Sequence, residues 1–363
     1  IEDYKKEISV SQSPDGVGPV SSLILEGARI LNWDVKELPR FWKYTRNTAG
    51  QWQGARQSMT ETFIPAFLRA QGRLLPGTRV KKICFQGRMA RSALAETRDE
   101  SGRPKRWRIR FQNLFICGGA VQTPLLLRRS GIIKNIGNTL SMHPAIRVAA
   151  RFDEPVFDPD EGVPAVQVNE FKPRITLGGS YSGLPHVALW MSGRDAIDEE
   201  LADSGKTALF YALIQAEGKG RVRPLPLSKT PFVTLALTAP DLTCFGEGLY
   251  RLGSLLFAAG AQKIYSPFKG SSDFESLRSM EPFKKGVPRT GVDITTIHLF
   301  SSCPMGEDRT RCAVNSYGQV HGYDNVYLND ASILPGPPGI NPQGLIMALA
   351  RRNVHHFLDA RLA

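Results

Sequence analysis

Residues 298–363, HLFSSCPMGEDRTRCAVNSYGQVHGYDNVYLNDASILPGPPGINPQGLIMALARRNVHHFLDARLA, decide how the chain is read. Two side chains able to hydrogen-bond a hydroxyl, His298 and Asn341, stand in stretches expected to be buried or held in a turn. Asn341 precedes Pro342, and an apolar-periodic run follows from Leu345 to Leu358. A side-chain cap, a Pro at the first helical position and helical periodicity together predict a helix start. The unpaired N–H groups of a helix N-terminus carry partial positive charge and favour an anion. His298, Asn341 and that helix end together describe a site that accepts a proton and stabilises a reduced, negatively charged cofactor.

Upstream of the tail, the pattern turns to strand from Thr78: TRVKKICF, MARSALAET and KRWRIRFQNLFICGG, separated by the turns QGR and DESGRP. The last of these ends at Gly118 and Gly119, where the missing Cβ lets a phosphate approach the backbone. A plain strand-to-helix turn accounts for the pair equally well. Residues 21–33, SSLILEGARILNW, have apolar residues at helical spacing, with Ser21 or Ser22 as the expected cap. Residues 230–241 read as a strand and 246–261 as a helix. The expected organisation is a helix and loop segment over 1–75, a β-meander with strand and helix over 76–150, a substrate domain over 151–295, and a return to the first domain over 296–363.

The tail resembles the C-terminal signature of the glucose–methanol–choline (GMC) flavoprotein oxidoreductases, most of all the bacterial branch that includes cholesterol oxidase. The matching pieces are His298 with CPMG after it, VHGYDNVYLNDASILP, and GINPQG running into the last helix. Weaker matches are GARQSMTETFIPAFLRA (54–70), FICGGAVQTPLLLRRSGI (115–132), GKGRV (218–222) and LFAAGA (256–261). The resemblance implies a mixed α/β fold: a Rossmann-type FAD domain beside an antiparallel-sheet substrate domain backed by helices. It implies FAD as cofactor and oxidation of an alcohol by hydride transfer to flavin N5, with His298 as base and Asn341 orienting the hydroxyl. By the same resemblance, Val80 meets the adenine, and Gly118 and Gly119 lie near the pyrophosphate. Asp330 and Ala331 meet the pyrophosphate and ribityl chain, and Pro342, Gln343 and Gly344 lie at the flavin pyrimidine edge.

The family's opening G-x-G-x-x-G turn is not found in this sequence. The expectation is therefore a C-terminal portion of a flavoprotein, with the N-terminal FAD-binding half supplied by the same or another chain. Two other uses of the fold stay open: a non-redox lyase, as in the family's hydroxynitrile lyases, and a C-terminal subunit completing a partner chain. The GINP form and large middle domain look most like members acting on bulky apolar alcohols.

Composition narrows the partners. The net charge is +12, but the basic residues are scattered, often in pairs such as Lys81-Lys82 and Arg128-Arg129, without a basic run, zinc knuckle or aromatic–basic module. That pattern argues against nucleic acid and leaves the FAD diphosphate, an acidic protein portion or an anionic membrane surface as counter-charge. Five cysteines without a CxxC pair argue against a disulfide scaffold and against a zinc or iron–sulfur site, and no metal is expected. Cys84 and Cys117 read as buried thiols, and Cys303 as either a pocket or a core residue. No run of 18 apolar residues occurs. The compartment stays open, with a cytoplasmic or peripheral-membrane setting favoured over a disulfide-rich secreted one.

Overall fold

A computed structural model describes the chain except for residues 1–3, 5–6, 159–160, 193–200, 227, 229 and 363. It resolves into two compact units, each assembled from three separate stretches. The first comprises Ile1–Gln71, Pro144–Gln215 and Ala239–Thr295; the second comprises Gly72–His143, Ala216–Thr238 and Thr296–Ala363.

The first unit is built on an antiparallel sheet. Six strands run in the order Val35–Glu37, Val166–Val168, Ile175–Gly179, Thr207–Ile214, Ser141–Arg151 and Lys263–Tyr265. Ile175–Gly179 is buried at every residue and Thr207–Ile214 at nearly every one. Strands covered on both faces lose the usual alternation of apolar and polar residues. Two helices, Pro19–Ile30 and Ala239–Ala258, pack on this sheet and on each other. Gly27 permits their close crossing, because a Cβ there would collide with the Leu255 carbonyl oxygen.

Neither expected serine caps the first helix. Gly18 stands at the N-cap with Pro19 after it, and Ser21 lies buried inside the helix, its hydroxyl accepting from Ala165 N–H. The orphan N–H groups are met instead by the buried Glu161 carboxylate, which accepts from Val20 at 3.0 Å and Ser21 at 2.9 Å.

Residues 1–75 do not lead into the second unit as expected. Val35–Glu37 pairs antiparallel with Val166–Val168, which assigns this segment to the large sheet. Conversely, Gly220–Pro224 and Pro231–Leu235 form a hairpin belonging to the second unit. The strand expected over 230–241 therefore stops at Leu235, and the following helix starts seven residues before Gly246, at Ala239.

In the second unit the meander forms as expected, from Arg79–Gln86, Met89–Arg98 and Pro104–Arg110. The meander returns into a further apolar strand before the Gly pair, Leu114–Ile116, which runs parallel to Val326–Leu328. Asn325 fixes that change of partner. Its side chain accepts from Ala90 N–H and donates to the carbonyls of Ala90 and Gln112. Ile83, Ile116, Leu127, Val314, Val326 and Leu328 are buried together in the core. Burying such side chains contributes about 1.5–3 kcal/mol each. The last helix, Gln343–Leu362, sets Phe357 edge-on against Phe115 and Tyr327. Its one fully buried residue is polar: Asn353 donates to Asn329, which donates to the Ala350 carbonyl.

Candidate active site

The strand Ile294–Phe300 presents its residues in alternation: Ile297 is 79% exposed, His298 half-buried and Phe300 fully buried. Side chains two apart share a face, so Thr296, His298 and Phe300 point the same way. Against that face lies His143, which is 1% exposed. Its ring stands edge-to-face with His298, centroids 5.6 Å apart, and 4.8 Å from Phe300. Its carbonyl accepts from Thr296 Oγ1 at 2.9 Å.

His143 also reaches the segment before the last helix. Its Nε2 accepts from the Gly339 N–H at 3.1 Å, at a glycine held in the left-handed region with φ of 70°. Nδ1 of both His143 and His298 is buried without a hydrogen-bond partner. Burial makes the charged ring costly, so both histidines are depressed. His143 falls to about 4 through desolvation and then the neighbouring His298, and His298 falls through desolvation alone. Two neutral imidazoles at pH 7 follow; Nε2 of His143 is already taken by the Gly339 N–H, which leaves His298 as the ring placed to accept a proton.

Asn341 is exposed, two residues beyond Gly339. Its expected role as helix cap is not realised. The helix begins at Gln343, and Ile346 N–H donates to the carbonyl of Pro342. Pro342 is therefore the capping position rather than the first helical residue, and Asn341 stands one residue outside. Gln343 and Gly344 supply the first-turn N–H groups, with open space around Gly344.

Of the other expected contacts, Val80 and Gly118 line a cleft of ≈ 580 Å³ together with Lys81, Phe115, Cys117 and Arg129, whereas Gly119, Asp330 and Ala331 are not among its lining residues. Apolar side chains make up much of its wall, with Arg79, Lys81 and Arg129 as its cationic members. Gly118 N–H donates to Thr123 Oγ1, and Gly119, at φ of 77°, donates its N–H to Asp330 Oδ2 at 2.8 Å. Asp330 also accepts from Thr123 Oγ1 at 2.5 Å and from Ser332 N–H at 2.8 Å. Its carboxylate thus locks the glycine turn to the segment carrying Ala331. The Ala331 carbonyl accepts from Ser301 N–H, just beyond Phe300, and Ser301 itself is in the left-handed region at φ of 62°.

Cysteine placement differs from expectation. Cys117 is exposed in the cleft, its thiol raised to about 11 by desolvation and by the Asp330 charge, and Cys84 is half-buried. Cys303 is fully buried in the core. Thr123 is a structural partner that local pattern did not single out, and His143, which in SMHP resembles a family loop motif or reads as a plain turn histidine, proves to be buried against Gly339, 196 positions away.

The N-terminal model of the GMC oxidoreductases matches residues 1–145, and the C-terminal model matches residues 248–350. An uncharacterized GMC-type oxidoreductase of Sinorhizobium fredii is 37% identical over 95% of this chain and 70% of its own length. The chain belongs to the GMC oxidoreductase family.

A second GMC-type relative, from Mycobacterium tuberculosis, is 26% identical, and this chain spans 56% of its length. A long-chain-alcohol oxidase of Arabidopsis thaliana is 23% identical over 91% of this chain and 49% of the relative. Among solved structures, pyridoxine 4-oxidase from Mesorbium loti superposes with a TM-score of 0.70 at 16% identity, covering 97% of this chain and 72% of that one, which shows the fold. The expectation of a C-terminal portion alone is corrected, because this GMC chain itself carries sequence matching the family's N-terminal model. The cholesterol-oxidase branch draws no support from these relatives. FAD is the cofactor that membership assigns, and the chemistry is that of an oxidoreductase of flavoprotein fold. Among the described residues no helix is long and apolar enough to cross a membrane.

Proposed function

We propose that this GMC oxidoreductase oxidises an alcohol, with His298 taking the hydroxyl proton and Asn341 orienting the hydroxyl. The observation that carries the reading is a neutral, half-buried His298 packed edge-to-face with the buried His143. A base must be unprotonated at working pH and within reach of the proton that it removes. Desolvation keeps His298 in that form. Asn341 lies outside the helix cap, so its amide remains available to hold a hydroxyl in line.

The chain's own groups fit an FAD. Val80, Gly118 and Gly119 would hold its nucleotide half at the cleft, Asp330 would fix the glycine turn there, and the backbone at Ala331 would meet the linking chain. Pro342, Gln343 and Gly344 would present the helix N-terminus to its ring edge. When bound, FAD supplies the acceptor for the carbinol hydride. The substrate class we favour is a bulky apolar alcohol, a reading supported by the similarity to a long-chain-alcohol oxidase.

Anaerobic mixing of the FAD-loaded protein with aliphatic and sterol alcohols tests this reading. Loss of the flavin absorbance is expected, slowed roughly 10²–10⁴-fold in His298→Ala with FAD content unchanged. Turnover without loss of absorbance would indicate non-redox chemistry, and a His298→Ala rate equal to wild type would remove His298 from the mechanism.

A further inference from the structure

His143 contacts both segments that carry the proposed catalytic pair. On one side it packs against His298 and Phe300 and takes the Thr296 hydroxyl on its carbonyl. On the other, its Nε2 takes the Gly339 N–H, two residues before Asn341. We propose that His143 is a positioning residue that holds the Gly339–Asn341 turn in register with the His298 strand, so that Asn341 is delivered to the substrate hydroxyl. This inference rests on the assignment of His298 and Asn341 made above.

Three physical points support it. First, Nε2 accepts a hydrogen bond from the Gly339 N–H, so the ring proton must sit on Nδ1; the tautomer is dictated by the hydrogen bond. The depressed basicity of His143 keeps it in that neutral, accepting form. Second, the turn is a run of Gly336, Pro337, Pro338 and Gly339, with Gly339 in the left-handed region. The two prolines have no N–H for anchoring and the glycines widen backbone choice, so a side-chain acceptor for the Gly339 amide has large leverage. Third, the ring is buried and packed between Phe300 and His298, leaving it little freedom to move the acceptor. An orienting group displaced by about 1 Å costs a rate factor on the order of 10².

The test uses the FAD-loaded full chain and two variants. His143→Phe keeps a ring and removes the acceptor; His143→Gln restores an acceptor near the Nε2 position. Amide hydrogen exchange at Gly339 is expected to speed up by at least tenfold in His143→Phe, about one hydrogen bond's worth, and to return toward wild type in His143→Gln. Flavin reduction should slow by roughly 10–100-fold in the Phe variant and recover in the Gln variant, with little change in alcohol affinity. If His143 acts through Asn341, adding His143→Phe to Asn341→Ala should produce no further slowing.

Unchanged Gly339 exchange in His143→Phe overturns the proposal, as does full additivity in the double variant. An Asn341→Ala protein that reduces its flavin at the wild-type rate would instead sink the assignment of Asn341, whatever the amide shows. Should the Phe variant fail to fold, nitrogen NMR of histidine-labelled wild type decides the anchoring bond. A ring protonated at Nδ1 supports it, and one protonated at Nε2 overturns it.

Discussion

Asp330 accepts the Gly119 N–H at 2.8 Å across 211 positions of sequence, and Thr123 Oγ1 joins the same oxygen. One carboxylate therefore closes the turn between the strand Leu114–Ile116 and the helix that follows. Asp330→Ala leaves those donors and the Ser332 N–H without an acceptor. The expected loss is about 2–4 kcal/mol, read as a lower urea midpoint, together with weaker FAD retention. A variant as stable as wild type would show that water replaces the carboxylate.

Acid should destabilise the fold through His143. Its folded value of about 4 lies below the unfolded 6.5, so the unfolded chain binds the proton more readily. The contribution is complete above pH 6.5 and is lost as pH falls through that window toward 4, amounting to about 3 kcal/mol, an order-of-magnitude value. His298 shifts in the same direction. Urea midpoints at pH 7 and pH 4.5 should differ clearly in wild type and less in His143→Gln; equal slopes would contradict the burial argument.

Asn341→Ala separates activity from stability. Because Pro342 occupies the capping position, the substitution should change the unfolding free energy, read from urea midpoints, by no more than about 0.5 kcal/mol, the usual range for a surface site. Flavin reduction should nevertheless slow. A destabilisation near 1 kcal/mol would restore the capping role to Asn341.

Glu161→Ala removes the carboxylate that satisfies Val20 and Ser21 at the start of Pro19–Ile30. A loss of about 1–3 kcal/mol is expected, with amide exchange in the first turn accelerated. Glu161→Gln should recover part of it, since an amide oxygen accepts one of the two N–H groups.

Some of this was legible along the chain. The meander and the last helix follow from alternation, turn residues and 3.6-residue periodicity, all local signals, whereas the antiparallel sheet of the middle stretch is implied by the family resemblance. The misread features share a different origin. Glu161 caps a helix 141 positions away, and Asn325, far along the chain, fixes the break before Leu114–Ile116 by donating to the Gln112 carbonyl. Val35–Glu37 joins a sheet whose other strands lie more than a hundred residues on. In the site, His298 and Asn341 are visible as residue types, and His143 as part of the family-like SMHP stretch, whereas the contact of His143 with Gly339, 196 positions on, is not. Cys117 sits at the end of an apolar strand yet faces an open cleft, a fact no window of sequence contains.

The interleaving of stretches also bears on how the protein is made. Ala90 N–H waits for the Asn325 side chain, 235 residues later, and Gly119 for Asp330. At a synthesis rate of about 5–20 residues per second, the meander is exposed for on the order of 10–50 s before its partner emerges. During that interval the nascent strand Leu114–Ile116 has no parallel neighbour, and its apolar edge is open to any extended chain nearby. Ribosome-bound intermediates halted before residue 325 should therefore be sticky, whereas release of the tail should abolish chaperone capture.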